Sequence, residues 1–480
     1  MKLSEYVEYD ATGLASLVSA GDVTPVELAR LARQAHDEVN PRINAVVEFY
    51  EDAETVAGAD GGPFHGVPFL RKDMGHTEAG RLQEFGSRLF EGNRPRVDSY
   101  FIQRARAAGL RLLGRTTTSE LGIGSSESAL CGVTRNPWDL DRTTGGSTAG
   151  SAAAVAAGIV PIASGSDGGG SIRVPASFCG LVGLNPSRGR ISDGPDRQDG
   201  GHGRSRTFVM CRTVRDMAAA LDVFSGPHSG DPFIIVQPDR PYISELSQPT
   251  GVLRIGVART RWDAIDIEPD VMQAVDSTAR LLEEMGHSVV DVEAPYEFED
   301  ACKLWFGLTS LNGGSLEISA QAMGRSLNAE TVEPVTLKLN EYGKNFPLSY
   351  YREVQEALRI MRLRVGEALH SFDIVVTPTM PTVAFPLGSY HTTNSTISAE
   401  EFMKTDAGLY FHLSVFNITG QPSVSLPLAQ SADGLPIGLQ FVGRFGAEST
   451  LVRMARDLEE ASPWSHRRAN VRAGNCEKHL

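Results

Sequence analysis

The chain has 480 residues, of which 41% are hydrophobic and 22% are charged, proportions typical of a soluble globular protein with a large core. Its formal net charge is −14 and no run of basic residues stands out, which argues against nucleic acid or an anionic membrane as a partner. The N-terminal sequence MKLSEYVEYD lacks the apolar segment of a signal peptide, and the longest apolar stretch, AAAVAAGIVPIA, is too short and broken to cross a bilayer.

The predicted elements alternate between helices and strands. Thr24, Pro25 and Glu27 form a capping box with proline at the first helical position, which predicts a helix within an N-terminal helical segment of about residues 1–45. A second helix is predicted from Asp98 to a glycine stop at Gly109, and the buried strand LRLLGRT follows it.

The same alternation continues to the end of the chain. Helices are predicted in VRDMAAALDVF, EPDVMQAVDSTARLLEEM and ESTLVRMARDLEEA, and strands in GVLRIGVA, HSVVDV, FDIVVTPTMP, PSVSLPLA and GLQFVGR. Short connections bearing glycine predict one α/β domain spanning residues 1–480, in which a large sheet is sandwiched by helices. The stretch of about residues 299–348 is less regular, and it either lines a pocket or forms peripheral helices.

The cysteines and histidines are isolated from one another. None of the cysteines forms a CxxC pair: Cys131, Cys179, Cys211, Cys302 and Cys476. The eleven histidines include no HExxH or comparable cluster. We therefore expect no disulfide framework, no metal, no other cofactor, and a reducing cytoplasmic location.

The sequence GSDGGGS, residues 165–171, sets three consecutive glycines beside a serine. Before it, GSAAAVAAG predicts a short helix that Ser147 or Thr148 caps and that ends at Gly158, and IVPIASGS predicts a returning strand. A helix followed by a returning strand of similar length would bring Ser147 close to Ser171.

Three interpretations of this glycine loop compete. A phosphate loop would need a following lysine or a GxGxxG pattern, and both are missing. A plain glycine-rich turn is the second interpretation. The third is a nucleophilic Ser171, for which the backbone N–H groups of Gly168, Gly169 and Gly170 could stabilise an oxyanion.

A nucleophilic serine also needs a base. No histidine lies between His76 and His202, and the GxSxG motif is absent, which weakens a Ser–His–Asp arrangement without excluding it. Lys72 is the only lysine between Lys2 and Lys303. It is either an exposed lysine at a strand end or a buried lysine whose lowered pKa lets it act as a base.

The block of residues 145–180, together with GVPFLRKD upstream, resembles the amidase signature family of serine hydrolases. The resemblance covers most of the chain and is strongest between residues 61 and 193. The sequences GRIS, SGPHSGDPF, RPY and SPWSHRR are similar to the 6-aminohexanoate cyclic-dimer hydrolase subgroup of bacterial stand-alone amidases. The family fold implied is a large, mixed, twisted sheet covered by helices on both sides.

The resemblance also implies a Ser-cisSer-Lys triad. Ser171 would be the nucleophile, Ser147 the bridging serine after a cis peptide bond, and Lys72 the base. The implied oxyanion donors and substrate-binding residues are Gly168, Gly169, Gly170 and Ser171 for the oxyanion, and Leu121 and Thr148 for the substrate. The implied reaction transfers an acyl group to Ser171 and then to water.

The sequence departs from the family pattern at three places. It has GGSTAGS, with Thr148 and Ala149, where the family commonly has GGSSGGS. Asn185 stands where GLKPT has lysine, and Gly168 stands where relatives often carry a side chain. These differences bear on the substrate more than on the chemistry.

The sequence therefore predicts an amide hydrolase that acts on small linear, cyclic or aryl amides or on carbamates. Relatives of this kind imply a homodimer. Two alternatives remain open: the glutaminase subunit of a tRNA-dependent amidotransferase, and a non-catalytic binding protein that keeps the fold.

Overall fold

The structure is a computed structural model that describes residues 1–56, 58–311 and 315–475. Its strands within these residues are β1 (Val46–Phe49), β2 (Pro68–Lys72), β3 (Arg111–Thr116), β4 (Glu127–Ser128), β5 (Gly132–Val133), β6 (Arg135–Asn136), β7 (Asp139–Thr143), β8 (Ile162–Asp167), β9 (Val182–Asn185), β10 (Arg206–Cys211), β11 (Arg254–Val257), β12 (Ser288–Asp291), β13 (Ile374–Pro378), β14 (Ser423–Gln430) and β15 (Pro436–Gly443).

The helices of the same residues are α1 (Leu3–Tyr6), α2 (Ala11–Ala20), α3 (Pro25–Ile43), α4 (Tyr100–Ala107), α5 (Ala149–Ala156), α6 (Arg173–Cys179), α7 (Gly200–Gly203), α8 (Val214–Phe224), α9 (Tyr242–Glu245), α10 (Pro269–Glu284), α11 (Phe298–Ser310), α12 (Ser315–Ala322), α13 (Pro334–Lys344), α14 (Leu348–Leu369), α15 (Ala399–Thr419) and α16 (Glu448–Ala461). Two short 3₁₀ helices span Arg88–Phe90 and Glu120–Gly122.

Eleven of the described strands form one sheet in the order β1-β3-β2-β8-β10-β9-β14-β15-β13-β11-β12. Strand β2 runs parallel to β3 and β8, and β11 runs parallel to β12 and β13, whereas β10, β9, β14 and β15 are antiparallel to their neighbours. Strands such as β8, β10 and β15 are buried at every residue, which requires cover on both faces of the sheet. The mixed α/β sheet predicted from the sequence is confirmed.

Local signals at helix ends explain several boundaries. Helix α3 begins with the predicted capping box, in which the Thr24 hydroxyl accepts from the Glu27 N–H and the Glu27 carboxylate accepts from the Thr24 N–H. Helix α4 begins one residue later than a start at Asp98 would give, because Ser99 is its N-cap and accepts from the Ile102 N–H.

Two clusters of apolar side chains hold these layers together. The larger lies between the sheet and the helices α3, α5, α8, α10 and α16, and the second joins α11, α14 and α15. The irregular stretch of residues 299–348 contains most of α11 and all of α12 and α13, and these helices also contribute to the wall of a large cavity. Both interpretations of that stretch therefore hold together.

None of the helices in the described ranges is both long enough and apolar enough to span a lipid bilayer. Cys131, Cys179, Cys211 and Cys302 are free thiols. Cys476, the fifth cysteine of the sequence, lies outside the described residues.

Candidate active site

A cavity of about 740 Å³ opens at the edge of the sheet where β2 and β8 end. Because these two strands are parallel neighbours, the residues at their carboxyl ends lie at the same edge. The wall includes Ser147, Ser166, Ser171 and the glycines of residues 168–170. The predicted approach of Ser147 to Ser171 is therefore seen as two serines on one cavity wall.

Lys72 is the last residue of β2 and is completely buried. Its Nζ donates to Ser147 Oγ at 2.8 Å and to Ser166 Oγ at 3.0 Å. Burial lowers the pKa of Lys72 to about 7; the charge of Asp167 raises it, and the charge of Arg197 lowers it further. Of the two sequence interpretations, the structure supports the buried lysine, which can lose its proton near neutral pH.

Ser147 lies in the turn that leads into α5. The peptide bond between Gly146 and Ser147 is cis, and the Thr118 hydroxyl donates to the Ser147 carbonyl at 2.9 Å. Thr148 occupies the N-cap position of α5 but its side chain makes no capping bond. The turn is fixed by these contacts rather than by the hydroxyl cap that the sequence predicted.

Ser166 is a site residue that the sequence reasoning missed. It lies on β8, one strand away from Lys72, and is 3% exposed. Its neighbour Ser164 accepts from the Lys72 backbone N–H at 2.9 Å. The signal was available in principle, since the strand IASGSD carries a serine at alternate positions, 164 and 166, and side chains two residues apart share one face of a strand.

The carboxylate of Asp167 organises the glycine loop from beneath. Arg173 binds it with two hydrogen bonds, Nε to Oδ2 and Nη2 to Oδ1, each 2.9 Å long, and both side chains are fully buried. The N–H of Gly170 donates to Asp167 Oδ1 at 2.7 Å, and the Asn417 amide donates to the same oxygen at 2.9 Å. These bonds lower the pKa of Asp167 well below its usual range.

The bond to Asp167 engages Gly170, one of the three predicted oxyanion donors. Among the hydrogen bonds of the described residues, the backbone N–H groups of Gly168, Gly169 and Ser171 have no protein acceptor. Three free donors therefore lie next to the serine hydroxyl, as the nucleophile interpretation of the loop requires.

Comparisons with known proteins agree with this geometry. The family model described as Amidase matches residues 27–452. The 6-aminohexanoate-cyclic-dimer hydrolase of Pseudomonas sp. (strain NK87) is 36% identical over 476 residues, covering 96% of each chain. The glutamyl-tRNA(Gln) amidotransferase of Chloroflexus aurantiacus contains a polypeptide that is 31% identical to this chain, and the match covers 98% of this chain and 100% of that polypeptide.

A solved structure of 6-aminohexanoate cyclic dimer hydrolase complexed with substrate superposes with a TM-score of 0.88 at 33% identity, covering 97% of this chain and 99% of that one. The chain belongs to the amidase family. It is an amide hydrolase, and the residues of its cavity can now be assigned in those terms.

The histidines of the amidase do not supply a base to Ser171. His76 binds Ser164 Oγ through Nε2 at 2.7 Å, and burial lowers its pKa well below the usual range. His412 is paired with Asp263, but its second ring nitrogen faces the Thr379 carbonyl at 2.9 Å. Neither His76 nor His412 is among the residues that line the cavity.

The two residues predicted to bind substrate differ in their placement. Leu121 lines the cavity, with a positive φ of 53° that its backbone bond to Phe85 accompanies. Thr148 is fully buried, donates to the Ser166 carbonyl at 3.2 Å, and is absent from the described cavity wall. Thr148 therefore supports the strand behind the wall.

The other departures from the family pattern also separate. A Cβ at Gly168 would have its nearest neighbour at 3.9 Å, in Ser205, so the amidase leaves room there that a side chain could occupy. Asn185 is buried on β9, paired with Ser423 of β14 and away from the cavity wall. Of these two, only Gly168 can change the shape of the site.

Proposed function

We propose that this amidase cleaves small amides through an acyl-enzyme on Ser171, with Lys72 and Ser147 carrying the proton. The observation that carries the proposal is the 2.8 Å contact between Lys72 Nζ and Ser147 Oγ at a fully buried lysine whose pKa is about 7. A neutral lysine can accept a proton, and a hydroxyl between it and the nucleophile can relay one.

The proposed first half-reaction forms the acyl-enzyme. Neutral Lys72 takes the proton of Ser147 as Ser147 takes that of Ser171, and Ser171 Oγ bonds to the amide carbon. When the tetrahedral intermediate collapses, the carbon–nitrogen bond breaks and the proton returns through Ser147 to the leaving amine. Water, activated along the same path, then releases the carboxylic acid from Ser171.

The oxyanion of the intermediate needs preorganised donors. The free N–H groups of Gly168, Gly169 and Ser171 are our candidates, because Gly170 donates to Asp167. A buried ion pair holds the loop, so these donors need not reorganise when negative charge develops on the carbonyl oxygen. Backbone donors of this kind also require no cofactor.

Small amides of several types fit a cavity of about 740 Å³. The relative named for the hydrolysis of a cyclic dimer supports cyclic amides as substrates of this chain, with linear amides, aryl amides and carbamates as the further members of the class. The similarity to part of an amidotransferase supports a second candidate, a partner-dependent glutaminase, which glutamine hydrolysis confined to a multisubunit complex would reveal.

The test is a panel of cyclic, linear and aryl amides, carbamates and glutamine on the purified chain, with Ser171→Ala and a fluorophosphonate probe. We expect hydrolysis and covalent labelling in the wild type and neither in Ser171→Ala. Ser205→Ala is the matched control, since Ser205 lines the same cavity but is not assigned a role in the chemistry. Labelling that survives Ser171→Ala would contradict the proposal.

We also propose that residues 1–480 act as one catalytic domain, in the cytoplasm, as a homodimer. The isolated free thiols support a reducing compartment, and fractionation of the source cells tests it. Sedimentation equilibrium tests the homodimer, and limited proteolysis tests the single domain.

A further inference from the structure

One arginine on the cavity wall is buried but has no partner for its charged end. Arg204 is 8% exposed and lines the cavity that contains Ser171. Its Nε donates to the Gly201 carbonyl at 2.9 Å. The two terminal nitrogens of its guanidinium donate to no acceptor among the described residues, and neither is sealed from the cavity.

Other arginines of this region behave differently. The terminal nitrogens of Arg206 donate to the carbonyls of Arg204 and Asn417. Arg188 donates to the carbonyls of Asn417 and Ile418, and Arg173 binds Asp167. Because a buried charge without a partner is costly, the free end of Arg204 indicates a ligand that supplies the missing acceptors.

The neighbours of Arg204 hold it towards the cavity without neutralising it. Its guanidinium lies over the Trp305 ring, 5.0 Å from the centroid. Asp406 also lines the cavity, but its oxygens accept from the Tyr390 hydroxyl and from Trp305 Nε1, and burial raises its pKa. No ion pair joins Arg204 to Asp406 within the described part of the chain.

Arg204 is also tied to the catalytic loop. The Asn417 amide that binds Asp167 also donates to the Arg204 carbonyl at 3.1 Å. A Cβ at Gly169 would lie 2.9 Å from the indole ring of Trp305, on whose face the guanidinium sits. A single substrate can therefore reach the glycine loop and Arg204 together.

We propose that Arg204 binds a carboxylate of the substrate, so that the preferred substrates are amides carrying a negative charge away from the scissile bond. The inference rests on the proposed function of Ser171. A planar guanidinium with two free nitrogens matches the two oxygens of a carboxylate, whereas a carboxamide offers a single acceptor.

The experiment compares carboxylates with near-isosteric carboxamides in two series. The first places the group on the acyl side: the mono-4-nitroanilide of adipic acid against the same chain ending in a carboxamide. The second places it on the amine side: the hexanoyl amide of 4-aminobenzoate against that of 4-aminobenzamide. The series with the larger ratio of kcat/KM values shows which side of the scissile bond faces Arg204.

In the wild type we expect the carboxylate to be favoured roughly tenfold to a hundredfold in one series, mainly through KM, as a charge-assisted pair of hydrogen bonds predicts. Arg204→Gln should abolish that preference, and Arg204→Lys should keep part of it. Arg188→Gln is the matched control: it also removes one guanidinium nearby, but it lies away from the cavity wall and should keep the preference.

Two outcomes would overturn the inference: no carboxylate preference by the wild type in either series, or a preference that persists in Arg204→Gln. Fluorophosphonate labelling of Ser171 reports whether the reactive centre of each variant is intact. If the wild type hydrolyses neither member of any pair and is not labelled, the proposed function fails; if it hydrolyses both members equally, only the role of Arg204 fails.

Discussion

The substitution Lys72→Met separates the chemistry of the buried lysine from its packing. Methionine has a similar unbranched shape but cannot be protonated. We expect kcat to fall by roughly 10²–10⁴-fold, the usual contribution of a positioned general base. In the wild type, kcat/KM should rise with pH and level off above about 7, since only the neutral lysine can take a proton from Ser147.

The same substitution should stabilise the fold near neutral pH. Burial lowers the pKa of Lys72 from 10.5 to about 7, and that difference corresponds to on the order of 5 kcal/mol. Below pH 7 both the folded and the unfolded chain hold the proton, so the whole cost of burial is present. Loss of the hydrogen bonds to Ser147 and Ser166 offsets about 1 kcal/mol each, which leaves a net gain of a few kcal/mol.

The pH dependence of the gain provides the decisive test. Between pH 7 and 10.5 the folded wild type has lost the proton that the unfolded chain still holds, so its stability rises with pH and the advantage of Lys72→Met shrinks. Urea unfolding of both proteins at several pH values measures this. Lys303→Met, at an exposed lysine, is the control and should change neither activity nor the pH trend. Parallel stability curves for wild type and Lys72→Met would refute the reasoning.

Three further substitutions test the surroundings of the triad. Gly169→Ala should lower kcat strongly, because the added methyl would meet a serine hydroxyl and an indole carbon at 2.9 Å; an active enzyme would contradict the tight loop. Ser166→Ala removes one acceptor from Lys72 and should lower kcat roughly tenfold, measured beside unchanged thermal unfolding. Arg173→Met leaves the buried carboxylate of Asp167 unpaired and should cost about 3–5 kcal/mol in urea unfolding; a loss below about 1 kcal/mol would contradict it.

The sequence carried much of the fold and the centre of the site. Alternating patterns predicted the main helices and strands, and the rarity of lysine singled out Lys72 before any resemblance was used. The resemblance then added Ser147 and the roles of the triad. These features are local in the sequence, or belong to one motif.

The features that the sequence could not provide depend on contacts across long separations. Asp167 stands within the glycine loop, yet its partner Asn417 follows 250 residues later. The order of the sheet, which inserts β14 between β9 and β15, is likewise set by tertiary packing. The free end of Arg204 is visible only once every neighbouring acceptor has been placed.

The base and the cavity wall are coupled through charge. Three influences act on the pKa of Lys72: burial lowers it most, the Asp167 carboxylate raises it, and Arg197 on the cavity wall lowers it further. Asp167 is held by the loop and cannot change without disturbing the donors, whereas Arg197 is only half-buried and donates to the Ser205 hydroxyl at 3.2 Å. Arg197→Gln should therefore shift the rise of kcat/KM to higher pH, while Arg197→Lys, which keeps the charge, should hold it near the wild-type position. An unshifted profile in an active Arg197→Gln enzyme would mean that burial alone sets the pKa of Lys72.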